Sequence, residues 1–286
     1  MAERKARWGW GALALCGILV AGCTGGGDGD ESGKRPSDAA VVVAPDRDVA
    51  PAPTLEPADP AALPRTAAEA RKMIDKLIVG PEGLPAGTRK ATPYESDTAT
   101  WSVLRSDCVW NREPIPDDVL ATLTRHFELP PTDGKGRVRF SATITFHRTA
   151  ADAAWEQARV VEESLHCDEQ VLRRGERLTE LNPQPARFGE AANLHSEDSL
   201  SEAGQCVSER HGGPYPYSWQ QVTYASMVLS SSVCAGAGYT PEAAFKLVSE
   251  VVPFTQLRAR EEFGREPGPK NGSKATASPS AAKDGA

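Results

Sequence analysis

Four cysteines, Cys108, Cys167, Cys206 and Cys234, are set far apart in a chain of 286 residues, and they restrict its fold more than any other feature. The two remaining cysteines, Cys16 and Cys23, lie near the N-terminus. In an oxidising compartment an even set at wide spacing reads as two disulfides, with three connectivities that spacing alone leaves open. Closing the segment from Cys108 to Cys167 would stabilise the fold by roughly 4 kcal/mol in the chain-entropy model. A metal centre is the rival use of these thiols. The chain has no Cys-x-x-Cys pair, and His126, His147, His166, His195 and His211 never fall three to five residues apart. No metal or other cofactor is therefore assigned.

The oxidising compartment is indicated by the N-terminus. Arg4, Lys5 and Arg7 precede an apolar run from Trp8 to Val20, too short for a permanent membrane span. Leu19-Val20-Ala21-Gly22-Cys23 follows, and this pattern resembles the lipobox of bacterial lipoproteins. It implies a signal peptide over 1–22, lipidation of Cys23 by diacylglyceryl and fatty acyl (palmitate-type) groups, and a cell-membrane address on the extracytoplasmic face. Several acyl chains, each adding roughly 0.8 kcal/mol per buried methylene, make release negligible. Loss of residues 1–22 removes three of 32 basic and one of 39 acidic residues, which leaves a net charge of −9. Such a surface argues against nucleic acid as a partner and assigns the membrane contact to the lipid.

Composition divides the rest. Residues 23–64 are rich in Gly, Asp, Ser, Pro and Ala and read as the lipidated cysteine with a disordered linker, and 264–286 read as a disordered tail. One domain of residues 65–263 lies between them. Thr66 is a candidate N-cap for a helix over 67–79, with Ala70, Ile74, Leu77 and Ile78 on one face. Trp101–Leu104 reads as a short strand. Alternation at Leu123, Phe127 and Leu129, and again from Val138 to Phe146, predicts a hairpin across Asp133-Gly134-Lys135-Gly136.

Thr149 should cap a second helix reaching Cys167, whose stripe of Ala151, Ala154, Trp155, Ala158, Val161 and Leu165 is expected to cover the sheet. The polar stretch 168–205 shows weak strand character and is a candidate lid. Strands are expected at 206–209 and 222–233, and Thr240-Pro241-Glu242 opens a last helix with Phe245, Val248, Val251 and Val252 inward and a kink at Pro253. The order predicts an α+β fold: an antiparallel sheet covered by helices on one side.

Catalytic signatures are sparse. There is no Gly-x-Ser-x-Gly, and Ser230-Ser231-Ser232 falls in a predicted strand. Gly236-Ala237-Gly238 lacks the third glycine and following strand of a nucleotide site and reads as a plain connection. His166 and Cys167 are adjacent on a helix and point about 100° apart. The acidic pairs Glu162-Glu163, Glu197-Asp198 and Glu261-Glu262 read as solvated faces. The segment Gly212-Gly213-Pro214-Tyr215-Pro216-Tyr217-Ser218-Trp219 reads as a loop that either packs over the sheet edge and shields a disulfide or lines a cleft. Tyr215, Tyr217, Trp219 and Trp110 are accordingly the candidate binding residues.

Cys108 before the hairpin, Cys167 at the end of the next helix and the Cys206, Cys234 pair before the last helix, behind a lipobox and spacer, give a layout similar to actinobacterial secreted lipoproteins. Over about 66–260 it resembles the extracellular sensor domain of PknH-type kinases and related lipoproteins of Mog1/PsbP-like fold. The resemblance implies an antiparallel sheet with helices and two sequential disulfides, Cys108 with Cys167 and Cys206 with Cys234, the pairing favoured here. This chain has no kinase domain, so sensing would need a separate partner. The expectation is a non-catalytic, sensor-like lipoprotein that binds a small apolar ligand or another envelope protein. The alternatives are an envelope-acting hydrolase with cleft carboxylates, or a structural or chaperone-like lipoprotein.

Overall fold

A computed structural model describes residues 57–132, 134–185 and 198–264; the predicted signal, Cys23 and most of the linker and tail lie outside them. Helix α1 (Ala67–Leu77) starts at a capping box, in which the Thr66 hydroxyl accepts from the Glu69 amide and the Glu69 carboxylate accepts from the Thr66 amide. Ten strands and two more helices follow: β1 (Arg89–Glu95), β2 (Thr100–Leu104), β3 (Trp110–Pro114), β4 (Val119–Leu129), β5 (Val138–His147), α2 (Ala150–His166), β6 (Gln170–Arg173), β7 (Glu176–Pro185), β8 (Asp198–Ser208), β9 (Gly212–Tyr224), β10 (Met227–Cys234) and α3 (Pro241–Phe263). Eight strands form one curled antiparallel sheet in the order β1-β4-β5-β10-β9-β8-β7-β6, and β2 with β3 form a separate hairpin. The α+β class stands, as do two cysteine pairs at bonding distance, Cys108–Cys167 and Cys206–Cys234.

The two faces of the sheet differ because alternate strand residues point to opposite sides. On one face Leu123, Phe127, Phe140, Ile144, Phe146, Met227 and Leu229 meet α1 and α3 in the main apolar core. Phe263 of α3 stacks on Tyr224 at 5.3 Å and meets Phe146 edge-on at 6.2 Å. Burying each such side chain contributes about 2 kcal/mol. Thr240 caps α3 and Pro241 occupies its first turn, as the sequence predicted, and Pro253 lies inside the helix. The opposite face carries Thr, Ser, His, Gln and Glu and is covered by α2 and the β2–β3 hairpin. Helices thus flank both faces, not one.

That polar face corrects the reading of α2. Its bounds and its Thr149 cap agree with the sequence, but the expected inward stripe faces out: Trp155 and Leu165 are 74% and 75% exposed, and Ala151, Ala154 and Ala158 are exposed too. The buried residues are Ala153, Gln157 and Ser164. The reason lies beneath the helix. Gln157 receives a hydrogen bond from Gln221 of β9 at 2.9 Å, a partner an apolar stripe could not have met.

Four further segments depart from the sequence reading. The polar stretch 168–205 contributes β6, β7 and much of β8, with residues 186–197 outside those described. The predicted strand 222–233 is a hairpin: β9 turns into β10 at Ala225 and Ser226, with Ala225 in the left-handed region (φ 53°) where Gly or Asn would have signalled the turn. The Gly212–Trp219 segment is not a loop but the first half of β9. Residues 57–64, assigned to the linker, join the fold: Ala58 bridges to Gly264, the Asp59 amide donates to Phe263 O at 2.7 Å, and Ala58 and Leu63 reach the main core. Gly236-Ala237-Gly238 connects β10 to α3. A side chain at Gly236 would place its Cβ 2.5 Å from the Arg137 carbonyl, so close backbone approach accounts for that glycine.

Candidate ligand-binding cavity

Between the polar face of the sheet and its cover lies a cavity of about 660 Å³, a volume typical of small-molecule sites. Its floor is laid out by strand register. His126 of β4 faces Ser141 of β5, Ser141 faces Ser232 of β10, Ser232 faces Trp219 of β9, and Trp219 faces Glu202 of β8. The adjacent row runs Thr124, Thr143, Ser230, Gln221. Hydroxyls pair along these rows, Ser141 with Ser232 at 2.7 Å and Thr124 with Thr143 at 2.9 Å, and in the next row Thr122 pairs with Thr145 at 2.9 Å. In each pair one hydroxyl spends its proton on the other, so one O–H and several lone pairs are left over.

The cover is held by specific links. The Cys108–Cys167 disulfide joins the loop before β3 to the end of α2, and the Val171 amide donates to Cys108 O at 2.9 Å. Trp110 of β3 donates its indole N–H to Gln170 Oε1 of β6 at 2.8 Å, which ties the hairpin to the far edge of the curled sheet. The Arg159 guanidinium of α2 lies 4.8 Å from the Trp101 ring centroid, and Trp101 meets His147 edge-on. His147 bonds Glu156 of α2. Glu176 also lines the cavity and takes Arg139 at 2.9 Å and Arg173 at 2.6 Å.

Burial shifts the ionisable groups. The Glu163 carboxyl is pushed up to about 7, chiefly by burial and with Glu156 and Glu162 adding to the rise, although Arg159 opposes it. Glu202 is also pushed up to about 7, and burial is the only influence on it. His126 is held below the ordinary imidazole range by burial and by Arg112 and Arg173, so it is neutral at pH 7. Despite opposing desolvation, Arg139, Arg173 and Ser208 hold Glu176 low and ionised.

Three of the four residues singled out from sequence line this cavity: Tyr217, Trp219 and Trp110. Tyr215 does not; it borders a separate recess of about 80 Å³ with Arg137, Arg139 and His211. Tyr217 serves both roles considered for its segment, because it also packs against Cys206 and Leu178 in a second apolar cluster beside the Cys206–Cys234 bond.

No protein-family model and no curated protein matches the chain.

Among the described residues the one grouping with metal-ligand character is His166 with Cys108 and Cys167, within 4.8 Å of one another. The two sulfurs are bonded to each other, which leaves a single imidazole as a possible ligand in this grouping. Of the acidic pairs, Glu162 is solvated and Glu163 faces the cavity, Glu262 pairs with Lys76, and Glu197 is outside the described residues. Sequence reasoning missed Glu202, Gln221, Glu163 and His126 as wall residues. The available signal was the run of Ser and Thr alternating with buried apolar residues in β4, β5 and β10, which marks strands covered on both faces with a polar space under one cover.

Proposed function

We propose that this chain is a non-catalytic lipoprotein of the cell envelope, anchored by lipid on Cys23 at the extracytoplasmic face, whose folded part captures a small ligand between the sheet and α2. The observation that carries the reading is the 660 Å³ cavity, walled by Trp101, Trp110, Trp219 and Tyr217 and floored by paired hydroxyls. Two disulfides fit the oxidising address, and the layout resembles the sensor domains of PknH-type kinases and Mog1/PsbP-like lipoproteins. Sequence alone suggests a small apolar ligand; because the lining combines aromatic rings with hydroxyls and acids, we take the ligand to be a polar one bearing a ring or charged head. Native mass spectrometry of the full chain, purified unreduced from an exporting host, tests this. A bound small molecule lost in Trp219→Ala supports the reading. Bare protein, with no change in melting or tryptophan emission against small polar compounds, contradicts it.

A second reading, a hydrolase acting on envelope material, is favoured by one observation: Glu163 and Glu202 share the cavity and both titrate near 7, suited to proton transfer at neutral pH. Turnover of envelope polymers that disappears in both Glu163→Gln and Glu202→Gln would establish it.

A further inference from the structure

The cavity leaves one acid without a partner. Glu202 is only 5% exposed, it lines the cavity, and its Oε1 makes no hydrogen bond. The arginines of the wall are engaged or sit elsewhere: Arg139 and Arg173 hold Glu176, Arg159 lies beside Glu163 and over Trp101, and Arg112 acts with Arg173 on His126. Among the described residues none of these arginines forms an ion pair with Glu202. A buried carboxyl with an orphaned oxygen calls for a partner that the described residues do not supply.

Its surroundings say which kind. Trp219 is its cross-strand neighbour in register, and Tyr217, two residues along the same face of β9, has its phenol pushed up chiefly by burial and further by the Glu202 charge. Both rings face the same cavity. Aromatic faces attract cations through their quadrupole, and a carboxylate beside them supplies the opposite charge in a desolvated place. We propose that the ligand carries an organic ammonium group, which docks on Glu202 against Trp219 and Tyr217. This rests on the cavity being a binding site. Glu202 lies on the floor under α2, so the ammonium belongs to a free small molecule and not to the surface of a bilayer. The neutral rival is a polyol engaging the hydroxyl rows, and it would leave Glu202 without a counter-charge.

The test compares choline with its uncharged isostere 3,3-dimethylbutan-1-ol, and benzyltrimethylammonium with neopentylbenzene, by calorimetry and tryptophan emission on the oxidised full chain at pH 8. Maltotriose serves as the polyol. The cations should bind at least tenfold more tightly than the isosteres, and Glu202→Gln should abolish that preference while keeping a cooperative melt. Isosteres or maltotriose binding as well as the cations, or a preference that survives Glu202→Gln, would overturn the ammonium assignment and leave the cavity reading intact. No response to any probe, charged or neutral, would overturn both.

Discussion

The two faces of the sheet are built from the same strands and do opposite work. Toward α1 and α3, β4, β5 and β10 send Phe127, Phe140, Ile144, Phe146, Met227 and Leu229 into close apolar contact. Toward α2 the same strands send Thr122, Thr124, His126, Ser141, Thr143, Thr145, Ser230 and Ser232, and the cover stands off to leave a cavity. The first face holds the fold together through burial of apolar area. The second forgoes that gain and leaves hydrogen-bonding groups lining a cavity, where the proposed ligand would meet them. Stability and the proposed binding are thus separated by strand alternation, one residue apart in sequence and a sheet's thickness apart in space.

The largest effects should come from the apolar face. Phe127→Ala or Phe146→Ala should cost about 3–5 kcal/mol by denaturant titration, since each leaves a void in a packed core. Thr143→Ala on the cavity face should cost less than about 1.5 kcal/mol, the worth of one hydrogen bond. Equal losses on both faces would break the comparison.

Next is the disulfide that holds the cover. Replacing Cys108 and Cys167 together by Ser should cost roughly 4 kcal/mol in the chain-entropy model. Hydrogen exchange should then rise in α2 and β3 more than in α3. Uniform loss of protection would mean that the cover is not a separately held layer.

Glu202 gives an effect of opposite sign. Its carboxyl titrates near 4.5 when unfolded and is pushed up to about 7 in the fold, so between those values the folded state holds a proton that the unfolded chain releases. The stability due to this group is complete below pH 4.5 and is lost as pH rises through 7. Glu202→Gln should therefore stabilise the protein by about 3 kcal/mol at pH 8, with the gain vanishing near pH 4.5. Paired denaturant titrations at the two pH values check this, and a gain that does not change with pH would show that ionisation is not its source.

The smallest effects belong on the outer stripe of α2. Trp155→Ser and Leu165→Ser should change stability by less than about 0.5 kcal/mol, because neither side chain is buried. A larger loss would mean that this stripe, and not the polar side, is the packed one.

The same contrast explains what could be read from sequence. Elements serving the apolar face announced themselves: α1 and α3 by Thr66 and Thr240 caps and inward apolar residues, the β4–β5 hairpin by period-two alternation. Elements serving the cavity did not. In β7 and β8 the buried positions include Glu176, Glu202 and Ser208, so apolar alternation is too sparse to mark strands. In α2 the amphipathic pattern was real but its direction depended on the polarity of the surface beneath, a tertiary fact. Three aromatic wall residues were visible as unusual in composition, whereas Glu202 looked like any of the chain's 39 acids until the fold buried it.

The most direct measurement of the central claim is ¹⁹F NMR of the oxidised full chain labelled with 5-fluorotryptophan, titrated with small molecules extracted from the host envelope. Trp→Phe variants would assign the signals. The account predicts that the Trp219 resonance shifts while Trp155 stays fixed, since one ring lines the cavity and the other lies on the outer face of its cover. A shift of Trp155 with Trp219 unchanged would contradict it, and would move the working surface to the outside of α2.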